Sequence, residues 1–353
     1  MNTIFAERFK SARLLNGFSL QDLADKLENQ ISRQALHRYE KGEVLPDSEM
    51  INMLCDAMNV RPDYFFRDTQ VIINKVEYRK LTRMPVKEEA KVVEQTREYL
   101  SRYLELEEIL GIQQIFFNPL KADFNNITTY EQVNHAANTL RKAWELGSDP
   151  IFNVMELLED KHIKVVKIDA DLSFDGLQTW VNDTIPVVAY NARITDKNDR
   201  IRFTLLHELA HLLLKFGDIT ERQKETLCHQ FAGSLLLPDT AIREELGSNR
   251  SKLYIPELGN IKKQYGISLQ AIVMRAKDCG IITDYYTKQF FFMIKQMNWK
   301  VDEPIQYIGV EKSNRFEQLI YRALAEELIS MSKAASLKNQ KLAEFRSETL
   351  MMA

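Results

Sequence analysis

The sequence predicts a mainly α protein with a small central sheet, an α+β chain. Three observations carry this: short capped amphipathic helices fill the first 68 residues, β-branched runs separated by Asp, Gly and Asn occupy 163–190, and helical periodicity returns from Asn198 to the end. At about 100–200 residues per domain, 353 residues predict two or three folded units. Hydrophobic residues at 45% with 27% charged exclude global disorder. A net charge of −3 confines any nucleic-acid contact to a local basic patch. Three scattered cysteines, Cys55, Cys228 and Cys279, are too few for a disulfide framework or a four-cysteine zinc site and point to a reducing compartment. The N-terminus lacks a signal-like apolar run, and no stretch approaches about 20 apolar residues, so the expected location is cytoplasmic, with no membrane partner.

Each element follows from local pattern. Phe5, Phe9, Ala12 and Leu15 sit at helical spacing, and Asn16-Gly17 ends that helix. Ser19 caps a second helix to Leu27, Ser32 a third to about Tyr39, and Asp47 or Ser48 a fourth to about Asn59. Alternation over 69–85 predicts a strand, and Val86 to Ile109 a long charged helix with an interrupted apolar face that docks on something. Helices follow over Tyr130 to Leu146 and from Asp149-Pro150 to Glu159. Strands are expected at Ile163–Ile168, Leu177–Val181 and Ile185–Tyr190, then helices over about 198–215 and 220–236, stopped by Pro238. The aromatic stretch Tyr285 to Trp299 reads as hairpin-like, and the tail from Phe316 as closing helices.

In the N-terminal 68 residues a helix, a short turn and a second capped helix make a helix-turn-helix arrangement, whose second helix can enter the major groove. Arg33, Gln34 and His37 follow the Ser32 cap at the front of that helix and are the candidate base readers, because Arg pairs bidentately with guanine and Gln with adenine. Gln21, Arg38 and Lys41 are placed to hold phosphates. The strings FKSARLLNGFSLQDLADKL and ISRQALHRYEKGEVLPDSEMINMLCDAMNV closely resemble the phage-repressor-like XRE (Cro/C1-type) family. That resemblance, over residues 5 to about 67, implies binding to double-stranded operator DNA, as a homodimer on a palindromic site.

Three of six histidines, His207, His211 and His229, fall within 23 residues. In His207-Glu208-Leu209-Ala210-His211 the two imidazoles lie four apart on one helix face, so both can reach one metal ion, and Glu208 beside them can take a proton from metal-bound water and return it to a leaving amine. A catalytic zinc with three protein ligands needs a third, a carboxylate from the following helix. Glu225 is the best candidate, Glu221 one turn earlier the alternative, and His229 a second-sphere or transition-state partner. Cys228 reads as a small buried side chain.

With Arg202-Phe203-Thr204 before the motif, Leu212-Leu213-Leu214 after it, and Glu225 through Phe231 to Pro238, the segment from about Asp149 to Pro238 resembles the ImmA/IrrE metallopeptidase family. The resemblance implies a zincin-like α+β domain, one Zn2+ per chain held by His207, His211 and Glu225 with Mn2+ an open alternative, and Glu208 as catalytic base. His229 stands where that family usually has asparagine. The expected organisation is a helix-turn-helix domain at 1–68, a linker with a long helix at 69–112, the peptidase domain at 113–245 and a helical region at 246–353. The expected function is a transcriptional regulator whose peptidase, latent at rest, cleaves a repressor, an antitoxin-like protein or itself in a stress, phage or mobile-element switch. The rival expectation is a non-proteolytic DNA-binding sensor whose metal-centred domain binds a ligand or partner.

Overall fold

The computed structural model describes residues 2–67, 71–76, 85–113, 115–171, 174–194 and 197–350. They form two compact units, one of Met1–Gln113, Ile168–Phe174 and Leu319–Ala353, the other of Gln114–Lys167 and Asp175–Gln318. Among the described residues no helix is long and apolar enough to cross a membrane.

In the first unit, α1 (Asn2–Leu15), α2 (Leu20–Lys26), α3 (Arg33–Glu40) and α4 (Ser48–Met58) enclose a core of Phe5, Phe9, Leu23, Leu36, Leu54 and Phe65. Each cap expected from the sequence is made: the side chains of Ser19, Ser32 and Asp47 accept from the backbone N–H of Asp22, Ala35 and Met50. Left-handed Asn59 (φ 52°) ends α4 and lets a 3-10 turn, Pro62–Phe66, bring Phe65 back under α1. Of the strand expected over 69–85, β1 (Ile73–Val76) is present, and 69–70 and 77–84 lie outside the described residues. The long helix α5 (Val86–Ile109) begins after Pro85 and packs along α1. Its Glu98 accepts from Arg8 at 2.9 Å and from Arg67 at 3.1 Å. Farther along α5, Arg102 donates to the carbonyl of Leu337 at 2.9 Å and Glu105 pairs with Lys333, both from the helix Met331–Leu337.

In the second unit, α6 (Tyr130–Ala143) opens with a Thr129/Gln132 capping box. α7 (Val154–Asp160) starts later than Asp149-Pro150 suggests, because its cap is the Asn153 side chain and its first amides donate to Glu311. Three strands follow, β2 (Lys164–Ile168), β3 (Gly176–Val181) and β4 (Ile185–Asn191), with β4 lying between β3 and β2. β3 and β4 form an antiparallel hairpin registered Gly176 to Tyr190 and Val181 to Ile185, turned by Asn182 and Asp183 at φ 50° and 60°. β4 is buried along both faces after its first residue, which explains its unbroken apolar run. α8 (Asn198–Leu213) lies against the hairpin and α9 (Glu221–Leu236) against α8. Leu205, Leu209, Phe231 and Leu235 are fully buried in the core cluster that these helices share.

α10 (Asp239–Leu246), α11 (Ile255–Tyr265), α12 (Leu269–Asp278) and α13 (Asp284–Gln296) complete this unit. α13 corrects the hairpin-like expectation for Tyr285 to Trp299. Thr283 caps it, and Phe290 and Ile294, four apart, are buried, so the aromatic run follows a helical period and not a strand alternation. A buried ion pair then anchors the start of α8. Arg202 and Glu311, both side chains 0% exposed, bond each other, while Arg202 also reaches the carbonyl of Ile151 at 2.5 Å and Glu311 the amide of Val154 at 2.8 Å.

Candidate functional site

Helical periodicity alone puts His207 and His211 on one face of α8, with Leu205 and Leu209 turned into the core. The break at residues 214–220 reverses the chain, and α9 returns Glu225 to that face. His207 Nε2 lies 3.3 Å from Glu225 Oε2, His211 Nε2 lies 3.1 Å from Glu225 Oε1, and the two imidazole Nε2 atoms are 3.2 Å apart. Glu221 is exposed at the start of α9, and the donor group among the described residues consists of His207, His211 and Glu225. Burial pushes the Glu225 carboxyl up, but hydrogen bonds and positive charge from the two histidines outweigh it and hold it well below the usual carboxylate range.

This donor set fits a zinc ion. A tetrahedral centre with bonds of about 2.0–2.1 Å has donor–donor edges of about 3.3 Å, and the three observed separations are those of one tetrahedral face. Two neutral imidazole nitrogens and one carboxylate are also the ligand types that catalytic zinc sites use.

Glu208, one residue along α8, is 3% exposed and turns toward β3. The strand comes this close because residue 176 is glycine. A Cβ there would sit 2.8 Å from the carbonyl oxygen of Ala189, 2.8 Å from Thr204 Cγ2 and 3.2 Å from Glu208 Cγ. His229 is exposed one turn after Glu225, with its ring 4.4 Å from that of His207 and stacked on Phe203 at 5.8 Å. Cys228 is buried, as expected, but it also touches the site: its Sγ lies 3.6 Å from His211 Nδ1, behind the donor nitrogen. The signal for that contact was the spacing of three between Glu225 and Cys228, which places both on one face of α9.

The expected DNA-reading residues sit elsewhere, on the first unit. Arg33, Gln34, His37, Arg38 and Lys41 are all exposed on or just after α3, whose Leu36 is fully buried and whose Tyr39 packs edge-on against Phe5 and Phe9. Gln21 is exposed on α2 and donates to Asp25 at 2.8 Å. Arg38 pairs with Glu43 at 3.4 Å, an exposed contact that a phosphate can replace at little cost. Arg13 holds the far end of α3 through Glu40 at 2.6 Å and the turn before α2 through the carbonyl of Phe18 at 2.6 Å, so the two helices share one anchor.

Comparison with known proteins finds a match for each of the two regions. Residues 9–65 match the helix-turn-helix family, and residues 158–277 match the family described as the IrrE N-terminal-like domain. A curated relative, the SPbeta prophage-derived uncharacterized HTH-type transcriptional regulator YonR of Bacillus subtilis (strain 168), is 35% identical over 66 residues, which are 19% of this chain and 59% of that protein. One region of the chain is thus similar to helix-turn-helix proteins of XRE type and another to the ImmA/IrrE-like peptidase family.

Proposed function

We propose that the protein is a transcriptional regulator that binds operator DNA as a homodimer through α3 and carries a zinc-dependent endopeptidase in its second unit. Its substrate is a repressor, an antitoxin-like partner or the chain itself, within a stress, phage or mobile-element switch. The observation that carries the reading is the triangle of His207, His211 and Glu225 donors at 3.1–3.3 Å with the buried Glu208 next to it on α8.

His207, His211 and Glu225 would hold the ion. Zinc there supplies a Lewis acid that polarises the scissile carbonyl and acidifies water. Glu208 acts as the general base, taking a proton from the attacking water and passing it to the amine nitrogen that leaves as the C–N bond breaks. Its burial keeps that proton from exchanging with bulk solvent, and Gly176 keeps β3 close enough to hold its stem. His229, braced on Phe203, faces the substrate from the exposed side and orients its carbonyl oxygen. On the first unit, Arg33, Gln34 and His37 read base edges while Gln21, Arg38 and Lys41 hold phosphates.

Glu208→Gln is the test. It keeps the shape of the side chain and all three metal donors, so metal content and folding stay at wild-type levels while cleavage of the physiological partner drops by at least about 100-fold. Regulation that persists unchanged in this variant would contradict proteolysis and favour a metal-centred sensor.

A further inference from the structure

α9 presents two adjacent faces. Glu225 and Cys228 turn toward the donor triad, while Thr226, His229, Gln230 and Gly233 follow one another at helical spacing along the wall of a cavity of about 410 Å3. The other wall is α12, through Ala271, Met274 and Asp278 at the same spacing, and Phe203 of α8 and Phe291 of α13 also line the cavity. The volume lies in the range of small-molecule sites, about 300–1,000 Å3, and is ample for one large side chain.

The floor is apolar for a specific reason. At Gly233 a Cβ would meet Arg275 Cδ at 3.2 Å and Cγ at 3.3 Å, so the arginine stem lies flat on the bare helix backbone. The Arg275 guanidinium is engaged by the carbonyl of Leu237 at 3.0 Å, by Tyr130 and by Asp239, which leaves its methylenes to the cavity. Polar groups of the wall are bonded within the protein: Gln230 donates to Asp278 at 3.1 Å, Thr226 to the carbonyl of Arg222 at 2.9 Å and Gln270 to the carbonyl of Lys300 at 3.2 Å. The cavity adjoins the candidate centre. His229 and Phe203 line it, and the His229 ring is 4.4 Å from that of His207.

We propose that this cavity receives a large apolar side chain, aromatic or long aliphatic, from a residue of the peptide adjoining the scissile bond, and that Ala271 and Gly233 set the size accepted. The inference rests on the peptidase reading above. A side chain attached to a peptide held at the triad fits better than a separate ligand, because one wall, His229 with Phe203, serves both places.

The test uses the zinc-loaded full-length protein and two probes that share a metal-binding head and differ in side chain, phenylalanine hydroxamate and glycine hydroxamate. Calorimetry is expected to show the phenylalanine probe binding about 10- to 100-fold more tightly, the return on burying one aromatic side chain. In Ala271→Trp that advantage should fall below about threefold while the glycine probe binds as before. Should Ala271→Trp fail to fold, Met274→Ala, which enlarges the cavity, should instead extend the preference to naphthylalanine hydroxamate. Equal binding of the phenylalanine and glycine probes by the wild type would overturn the cavity proposal and leave the peptidase reading standing, whereas binding of neither by zinc-loaded protein would overturn both, since a catalytic ion keeps a position open to such a head. Binding of free indole in the cavity without competition from the phenylalanine probe would assign it to a separate small ligand and equally overturn the proposal.

Discussion

Gly176 shows how one atom governs the placement of Glu208. Its missing Cβ is what lets β3 lie against α8, and of the two closest groups a methyl would meet, Thr204 Cγ2 and the carbonyl of Ala189, the second is backbone that cannot swing away. Gly176→Ala should therefore destabilise the protein by about 1–3 kcal/mol, seen as a lower urea midpoint at unchanged slope, with a loss of cleavage beyond that of a surface control. Arg202 and Glu311 make a second residue-scale test. Both are wholly buried and bonded to each other and to the backbone, so Glu311→Ala strands a guanidinium in the core and should cost about 3–5 kcal/mol in the same measurement. The histidine spacing and the best third donor were legible because α-helical geometry converts sequence offset into position. The Arg202–Glu311 pair was not, because its partners are 109 residues apart and nothing local marks them. The contact of Cys228 with His211 could have been read from its spacing of three from Glu225, a signal that the reading of Cys228 as a small buried side chain does not use.

At the scale of elements, caps decide where helices begin. The Ser32 hydroxyl accepts from Ala35 at 3.2 Å at the start of α3, the helix proposed to contact DNA, and Ser32→Ala should cost about 1 kcal/mol and weaken operator binding in a gel shift without changing metal content. Asp22, in the capping box of α2, makes a pH-dependent case. Its bond to Lys87, followed by those to the amide and hydroxyl of Ser19, lowers its pKa to about 2. A carboxyl depressed in the folded state stabilises it fully above the unfolded value near 4, and that contribution is lost as pH falls toward 2. The urea midpoint of the wild type should therefore drop over this window by more than that of Asp22→Asn; parallel profiles would contradict the assignment. Most boundaries were readable from such punctuation, α5 over Val86–Ile109 being the clearest. α7 and α13 were misread where a tertiary acceptor, Glu311, displaced the start of one, and where aromatic content masked the helical period of the other.

For the whole molecule, the alternation of helical and extended periods disclosed an α+β chain with a helix-turn-helix at one end and a small sheet before the two central helices. What local pattern could not disclose is that residues 319–353 rejoin the first unit, where Leu337 and Phe345 are fully buried. Long-range packing of this kind leaves no mark on a periodicity plot, since an apolar helix face looks alike whatever covers it. Because the proposed DNA contacts and the proposed metal centre lie in different units, changes to Arg33 and Gln34 should abolish operator binding while leaving the metal content intact. The claim on which the rest depends is the metal centre, and elemental analysis of purified wild type beside His207→Ala tests it most directly. About one zinc per chain in the wild type, lost in the variant, is the predicted result; no tightly bound metal in the wild type after zinc is added back, or equal metal in both proteins, would contradict it.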